Sequence, residues 1–318
     1  MIHKFDRLAI ELPTPDAPNA NGASAVQELL GGKFGEMSTL MNYTFQSFNF
    51  RGRSKLRPFY DLISNIAAEE YSHIELVSAT INLLLTGTTT RADRNMPSAE
   101  PSPMMDAAKN LVTSGTTDPA PLGSAVDARN LYHFIASGQG ALPVDCMGNP
   151  WNGSYVVATG NLKMDLLHNF FLECGARANK IRVYEMVSDP TARAMVGFLL
   201  VRGGVHIVAY ARALEVLTGA DVGKLLPIPD VSNKKFPEAM KHEAKGIHRI
   251  MYRWSPSDYR ELDKIWNGLH PEDGQPLIIE DEIPVGAPWP ELDEEPQLTS
   301  PLGIDPDMIK YYADAMGK

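Results

Sequence analysis

Four long segments of this sequence carry apolar residues at alternating spacings of four and three, which is the pattern of helices packed side by side in a bundle. Such a helix can bury its apolar stripe only against other elements of the fold. The predicted helices cover Ser24–Phe50, with an interruption at Gly31–Gly35, Leu56–Leu85, Asn161–Val187 and Thr191–Thr218. The pattern therefore restricts the chain to an all-α architecture.

The connection between the second and third helices, residues 86–160, is long and rich in turn-forming residues. Within it, short helices are expected at Met105–Val112 and Val126–Ser137. A four-helix bundle with one long crossover has the ferritin-like topology. We therefore predict a ferritin-like four-helix bundle.

The C-terminal part of the chain differs in composition, because 12 of the 24 prolines follow Gly219. Proline interrupts helices, so we expect an extended proline-rich arm with one helix at Pro237–Arg253. The predicted domains are a bundle over residues 1–220 and a C-terminal arm over residues 221–318. The arm is expected to pack on the bundle and on neighbouring subunits.

The net charge of −10 argues against a nucleic-acid partner. The N-terminus lacks the apolar core of a signal peptide, and no run of about 18 apolar residues predicts a membrane span. The two cysteines, Cys146 and Cys174, suit a reducing compartment and do not suggest a disulfide framework. We therefore expect a cytoplasmic protein without membrane or nucleic-acid partners.

Each predicted helix places at least one acid or imidazole on its buried stripe. The set is Glu36, Glu70, His73, Glu173 and His206. Any one of these residues has an ordinary explanation, such as a salt bridge or a hydrogen-bonded core histidine. Three buried acids together need compensating cations, and Arg202 is the only basic residue that we find near them on a stripe. The set therefore predicts bound metal ions.

Di-metal carboxylate bundles use a glutamate from each of two helices and a Glu-x-x-His pair from each of the other two. Glu70 and His73 supply one such pair, whereas Gly203 stands where the second pair, ending at His206, would have its acid. Two divalent ions and three glutamates leave one positive charge for bound hydroxide or peroxide. Oxygen ligands with two imidazoles suit manganese or iron.

Glu69 immediately precedes Glu70 and falls on the flank of the buried stripe. We expect it to be a surface acid or a neighbour of the ligands. Glu69→Gln would then leave a metal-loaded, active protein, while Glu70→Gln would abolish activity.

Four stretches of the chain resemble the non-haem, di-manganese catalases of ferritin-like fold. They are Leu29–Gly52, Tyr60–Leu85, Trp151–Arg177 and Tyr184–Gly219. The resemblance implies an enzyme that disproportionates hydrogen peroxide to water and oxygen by two-electron cycling of a manganese pair. It also implies two manganese ions per chain, a bridging water or hydroxide, and a homohexamer whose C-terminal arms embrace neighbouring subunits.

By position, Glu70 resembles the carboxylate that bridges both metals. Glu36 and His73 resemble the other ligands of one manganese, and Glu173 and His206 resemble those of the second.

Around these ligands, Arg202 and Tyr43 are candidates for assisting catalysis. The chain departs from some family members at Leu172 and Gly203, where those members carry an arginine and a glutamate. These departures leave open which group transfers protons.

Two other functions remain open for the same residues. One is a diiron oxidase or ferroxidase, which the absent carboxylate at Gly203 disfavours. The other is a non-enzymatic, spore-coat-like metal-binding protein, which the complete set of five ligands disfavours. A second metal site at His242 and His248 is conceivable, but the surrounding lysines and glutamates favour a solvated helix face.

Overall fold

The computed structural model describes residues 6–15, 19–86, 140–226, 230–290, 310–311 and 314–316. Its helices are α1 (Ala20–Gly31), α2 (Glu36–Phe48), α3 (Arg57–Thr86), α4 (Leu162–Met186), α5 (Pro190–Thr218) and α6 (Pro237–Glu243). Two short strands, β1 (Ile250–Tyr252) and β2 (Ile278–Glu280), pair in parallel, with Ile250 opposite Ile278.

The helices α2, α3, α4 and α5 form the four-helix bundle, in which α2 packs on α3 and α4 packs on α5. Helix α1 precedes α2 and also packs against α3. The mainly helical architecture confirms the predicted fold class, and the four predicted bundle helices match the observed ones within a few residues, apart from the divided first segment.

The predicted break in the first helix is present, and a close contact explains one of its glycines. A Cβ on Gly31 would lie 2.2 Å from the backbone oxygen of Val144, where the end of the crossover meets α1. No side chain fits there, so the contact requires glycine. The short helices predicted at Met105–Val112 and Val126–Ser137 lie outside the described residues.

The ends of α5 follow directly from the sequence. The Asp189 side chain accepts hydrogen bonds from the amides of Thr191 and Ala192, and Pro190 occupies the first turn. Gly219 ends the helix with φ of 73°, a left-handed conformation that favours glycine. Although α5 is long and apolar enough to cross a membrane, 94% of its most apolar window is buried inside the fold, as expected of a core helix.

The predicted helix over Pro237–Arg253 is wrong beyond Glu243. Gly246 adopts φ of 78°, and a 3₁₀ turn at Ile247–Arg249 leads into β1. Helix α3 holds this segment in place, because the Asn65 amide donates to the Tyr252 carbonyl and its oxygen accepts the Trp254 amide. Helical periodicity depends only on local sequence and therefore cannot predict long-range hydrogen bonds of this kind.

The described part of the C-terminal region contributes to the core. Leu262, Ile265 and Trp266 are fully or almost fully buried in the same apolar cluster as Tyr43 and Tyr210 of the bundle. The division into a bundle and an arm, and the contact of the arm with neighbouring subunits, stay predictions.

Candidate metal centre

All five residues predicted as metal ligands meet in the middle of the bundle. Helix α2 contributes Glu36, α3 contributes Glu70 and His73, α4 contributes Glu173, and α5 contributes His206. Each of them is at most 1% exposed. Residues on four different helices thus converge on one buried volume.

Glu70 lies between the two imidazoles and faces each of them with a different oxygen. The His206 Nδ1 atom is 2.7 Å from Glu70 Oε1, and the His73 Nδ1 atom is 3.2 Å from Glu70 Oε2. The two rings stack with their centroids 5.6 Å apart. Glu36 Oε2 is 3.5 Å from His73 Nδ1, and Glu173 Oε1 is 3.4 Å from His206 Nδ1. Each Nδ1 atom therefore faces one oxygen of Glu70 and one further carboxylate. The further carboxylate is Glu36 for His73 and Glu173 for His206.

Glu69 occupies the opposite edge of both imidazoles. Its Oε1 is 3.7 Å from His73 Nε2, and its Oε2 is 3.4 Å from His206 Nε2. The residue is 1% exposed, so the expected surface acid is wrong, whereas the alternative of a neighbour of the ligands agrees with these contacts. Helix α3 is covered on this flank by α5, and a period counted along one helix does not reveal such a neighbour.

Arg202 of α5 pairs with Glu69 rather than with the predicted ligands. Its Nε and Nη2 atoms donate to the two oxygens of Glu69 at 2.5 and 3.1 Å. Its Nη1 donates to the carbonyls of Ile247 and Ile250, and the guanidinium lies 4.7 Å from the centroid of the Tyr252 ring. Arg202 therefore connects the metal centre to the segment that enters β1.

Two hydroxyl groups hold the carboxylates from the α2 side. The Tyr43 hydroxyl donates to Glu173 Oε1 at 2.7 Å, and the Thr39 hydroxyl donates to Glu70 Oε2 at 2.8 Å. Both residues are fully buried. The structure thus places Tyr43 beside a predicted ligand, as an orienting hydrogen-bond donor.

Like Thr39, Lys180 lies beside the predicted ligands although it was not predicted from the sequence. It is 2% exposed, and its Nζ lies 2.7 Å from Glu36 Oε1. The statement that Arg202 is the only basic residue near the acids is therefore wrong. The signal was present, because the stripe of α4 that passes through Glu173 reaches Lys180 two turns later.

Lys180 also approaches the position of the missing fourth carboxylate. A Cβ on Gly203 would lie 3.6 Å from the Lys180 Nζ and 4.0 Å from Glu173 Oε2. The space left by glycine in α5 thus borders both an ammonium group and a predicted ligand.

The pKa values show how the chain balances its buried charges. Burial alone would raise the pKa of Glu70, but His73 and His206 hold it well below its usual range. Burial alone would lower the pKa of His73, but Glu70, together with the neighbouring carboxylates of Glu36 and Glu69, raises it to about 10. Because the carboxylates raise the pKa of both imidazoles, metal binding at these nitrogens has to compete with protons.

The donor set fits divalent metal ions. Among the described residues, the buried atoms without a hydrogen-bond partner include Glu36 Oε2, Glu173 Oε2 and His206 Nδ1. A buried polar atom left unpaired is costly, and metal coordination is one way to satisfy it. Carboxylate oxygens combined with imidazole nitrogens suit manganese and iron.

Comparisons with known proteins agree with this reading. A family model described as manganese containing catalase matches residues 1–310. A manganese catalase of Bacillus subtilis (strain 168) is 31% identical over 282 residues, which cover 89% of this chain and 91% of that protein. A second manganese catalase of Bacillus subtilis is 34% identical with the same coverage. The crystal structure of KatB, a manganese catalase from Anabaena PCC7120, has a TM-score of 0.50 at 24% identity, covering 70% of this chain and 82% of KatB; this likeness supports the fold.

Proposed function

Because the chain belongs to the manganese-containing catalase family, we propose that its buried centre disproportionates hydrogen peroxide to water and oxygen. The observation that carries this proposal is the convergence of three acids and two imidazoles, from four helices, around Glu70. An apolar seam would be the simpler solution for a bundle without a cofactor.

We infer that two manganese ions and a bridging water or hydroxide bind at this centre. The proposed ligands are Glu36, Glu70, His73, Glu173 and His206. The opposite placement of the two Glu70 oxygens supports its role as the bridge. The metal pair supplies the two-electron redox chemistry of the reaction when it is bound.

The charge of the centre favours anionic ligands more strongly than the sequence suggested. The three ligand glutamates and Lys180 sum to two negative charges, since Arg202 cancels Glu69. Two divalent ions would then leave two positive charges, one more than the count without Lys180. Bound hydroxide and peroxide neutralise such an excess.

Glu69, Tyr43 and Thr39 are proposed to orient the ligands. Glu69 is proposed to accept an N–H hydrogen bond from the Nε2 of each imidazole once the metals are bound, which keeps each Nδ1 free for coordination. Tyr43 and Thr39 donate to Glu173 and Glu70 and limit the rotation of these carboxylates.

The function can be tested by metal analysis together with an oxygen electrode. We expect two manganese ions per purified chain and the release of one oxygen molecule for every two peroxide molecules consumed, without haem. Iron with net oxygen consumption would indicate the diiron oxidase. Full manganese occupancy without turnover would indicate the non-enzymatic, spore-coat-like alternative.

Lys180 is the proposed proton-transferring group. It is a buried amine beside Glu36 and Gly203, whereas the donors of Arg202 are committed to Glu69 and backbone carbonyls. We expect Lys180→Met to retain manganese but to lower kcat by a factor of about 10²–10⁴, the usual contribution of general acid–base catalysis.

The control for this prediction is Lys180→Arg, which keeps the positive charge but does not release a proton at neutral pH. Steady-state oxygen evolution and manganese content would be measured for both variants. Recovery of kcat in Lys180→Arg would show that the charge alone matters, and an unchanged kcat in Lys180→Met would contradict any role in turnover.

A homohexamer and a cytoplasmic location remain part of the proposal. Several exposed apolar side chains on α2 and α4 support subunit contacts, with Phe48 70%, Leu167 55% and Phe171 63% exposed. The cytoplasm is supported by Cys146 and Cys174, which are both free thiols. Light scattering after size-exclusion chromatography would determine the oligomeric state.

A further inference from the structure

A second cluster of metal-ligating side chains lies in the C-terminal region, outside the manganese centre. His248 belongs to the 3₁₀ turn before β1, while His270 and Asp273 belong to the loop before β2. His248 Nε2 is 2.8 Å from Asp273 Oδ2, and His270 Nδ1 is 3.6 Å from Asp273 Oδ1. We propose that these three residues form a second, zinc-type metal site.

The spacing of the cluster matches tetrahedral coordination. Zinc bonds of about 2.0–2.1 Å place two ligand atoms about 3.3 Å apart and two bound imidazole centroids about 5 Å apart. The two observed nitrogen–oxygen distances bracket the first value, and the two ring centroids are 5.0 Å apart. One ligand atom from each of the three residues lies within 4.8 Å of the other two, so a single ion could contact all three.

The Nδ1 atom of His270 lies at the edge of the cluster, 3.6 Å from Asp273 Oδ1. It accepts a long hydrogen bond of 3.3 Å from the Glu272 amide, and zinc would have to displace this bond in order to bind Nδ1.

Hydrogen bonds order the loop independently of any metal. The His270 amide donates to the Gln275 carbonyl, and the Gly274 amide donates to the His270 carbonyl. The Gln275 amide donates to Asp273 Oδ1, and Gly274 adopts φ of 66°. Two of the three ligands are therefore held in position before binding, which reduces its entropic cost.

Arg249 is the group that opposes a cation here. Its Nε lies 3.6 Å from Asp273 Oδ2, outside hydrogen-bonding distance, and this atom has no hydrogen-bond partner within the part of the chain that the structure describes. Removing this charge should therefore increase the affinity for zinc. His242, which the sequence paired with His248, instead packs against the Phe198 ring at 5.4 Å and is not part of the cluster.

A metal at this site would link the 3₁₀ turn to the loop. The carbonyls of Ile247 and Ile250, on either side of His248, accept the hydrogen bonds of Arg202, which in turn pairs with Glu69. The site would thus brace the segment that supports the outer edge of the manganese centre.

The test is a zinc titration of the full-length, manganese-loaded protein. Zinc and manganese would be counted by mass spectrometry after gel filtration, and zinc affinity would be measured by calorimetry. We expect one zinc per chain with no loss of manganese, at least about tenfold weaker binding in His270→Gln and Asp273→Asn, and tighter binding in Arg249→Gln. His242→Gln is the matched control and should bind zinc like the wild type.

Asp273 is 34% exposed, so Asp273→Asn keeps the test valid if the buried His270 variant fails to fold. The proposal is overturned if the wild type takes up no zinc, if zinc enters only by displacing manganese, or if Asp273→Asn binds zinc as tightly as His242→Gln. None of these results depends on catalase activity, so they leave the proposed function untouched.

Discussion

Glu70→Gln should abolish the release of oxygen from peroxide and empty the buried centre of manganese. The two oxygens of Glu70 face different imidazoles, and Oε2 also accepts the Thr39 hydroxyl. Glutamine removes one negative charge and replaces one oxygen by an amide nitrogen that cannot coordinate a cation. The single change therefore affects both proposed metal positions at once.

We expect manganese affinity and kcat/KM to fall by more than about 100-fold, the upper end of the loss seen when only an outer partner of a ligand is removed. Metal content and oxygen evolution would be measured on the same preparations. Glu185→Gln, on the exposed face of α4, is the matched control. An active Glu70→Gln protein with full manganese would mean that the carboxylate does not bridge the metals.

Glu69→Gln should separate a positioning role from a purely structural one. In the structure Glu69 contacts the Nε2 edges of both His73 and His206 and forms a two-point ion pair with Arg202. Loss of such an outer carboxylate lowers metal affinity by a factor of about 10–100. The helical stripe alone predicted that Glu69→Gln would leave a metal-loaded, active protein. The observed contacts of Glu69 replace that prediction with a loss of metal affinity.

The same substitution should also destabilise the protein. It leaves the Arg202 guanidinium fully buried without its carboxylate, and breaking a buried ion pair costs about 3–5 kcal/mol. Urea unfolding of metal-free protein would measure this loss, and competition with a chelator would measure manganese affinity.

The double variant Glu69→Gln with Arg202→Met is the decisive control. Removing both charges should restore part of the stability, because no uncompensated charge remains. Manganese affinity should stay low, because the Nε2 atoms of His73 and His206 still lack their carboxylate. Recovery of both properties would show that Glu69 acts only through the ion pair, and wild-type behaviour of the single variant would exclude either role.

The helices and the acids that they bury were predictable because both depend on local periodicity. The stripe of α3 selects Glu70 and His73, and the observed burial of both residues agrees. The same reasoning carried two turns beyond Glu173 would have found Lys180. Lys180 was therefore predictable from local periodicity, because it lies on the same stripe of α4 as Glu173.

The environment of Glu69 was not predictable in the same way. A helical stripe describes only one face of α3, and Glu69 lies on a flank that α5 covers with Arg202. The end of α6 at Glu243 was also not predictable from local periodicity. The residues that follow it form β1, which pairs with β2 and accepts a hydrogen bond from Asn65 of α3.

The sequence by itself determined a mainly helical bundle and placed acids and imidazoles in its core, because the 3.6-residue period of a helix relates chain position to face. Tertiary structure alone decided which of these groups meet. It brought Lys180 to Glu36, Glu69 to both imidazoles, and His248 to Asp273. Distances between side chains on different segments depend on how those segments pack and bend, and no local pattern encodes them.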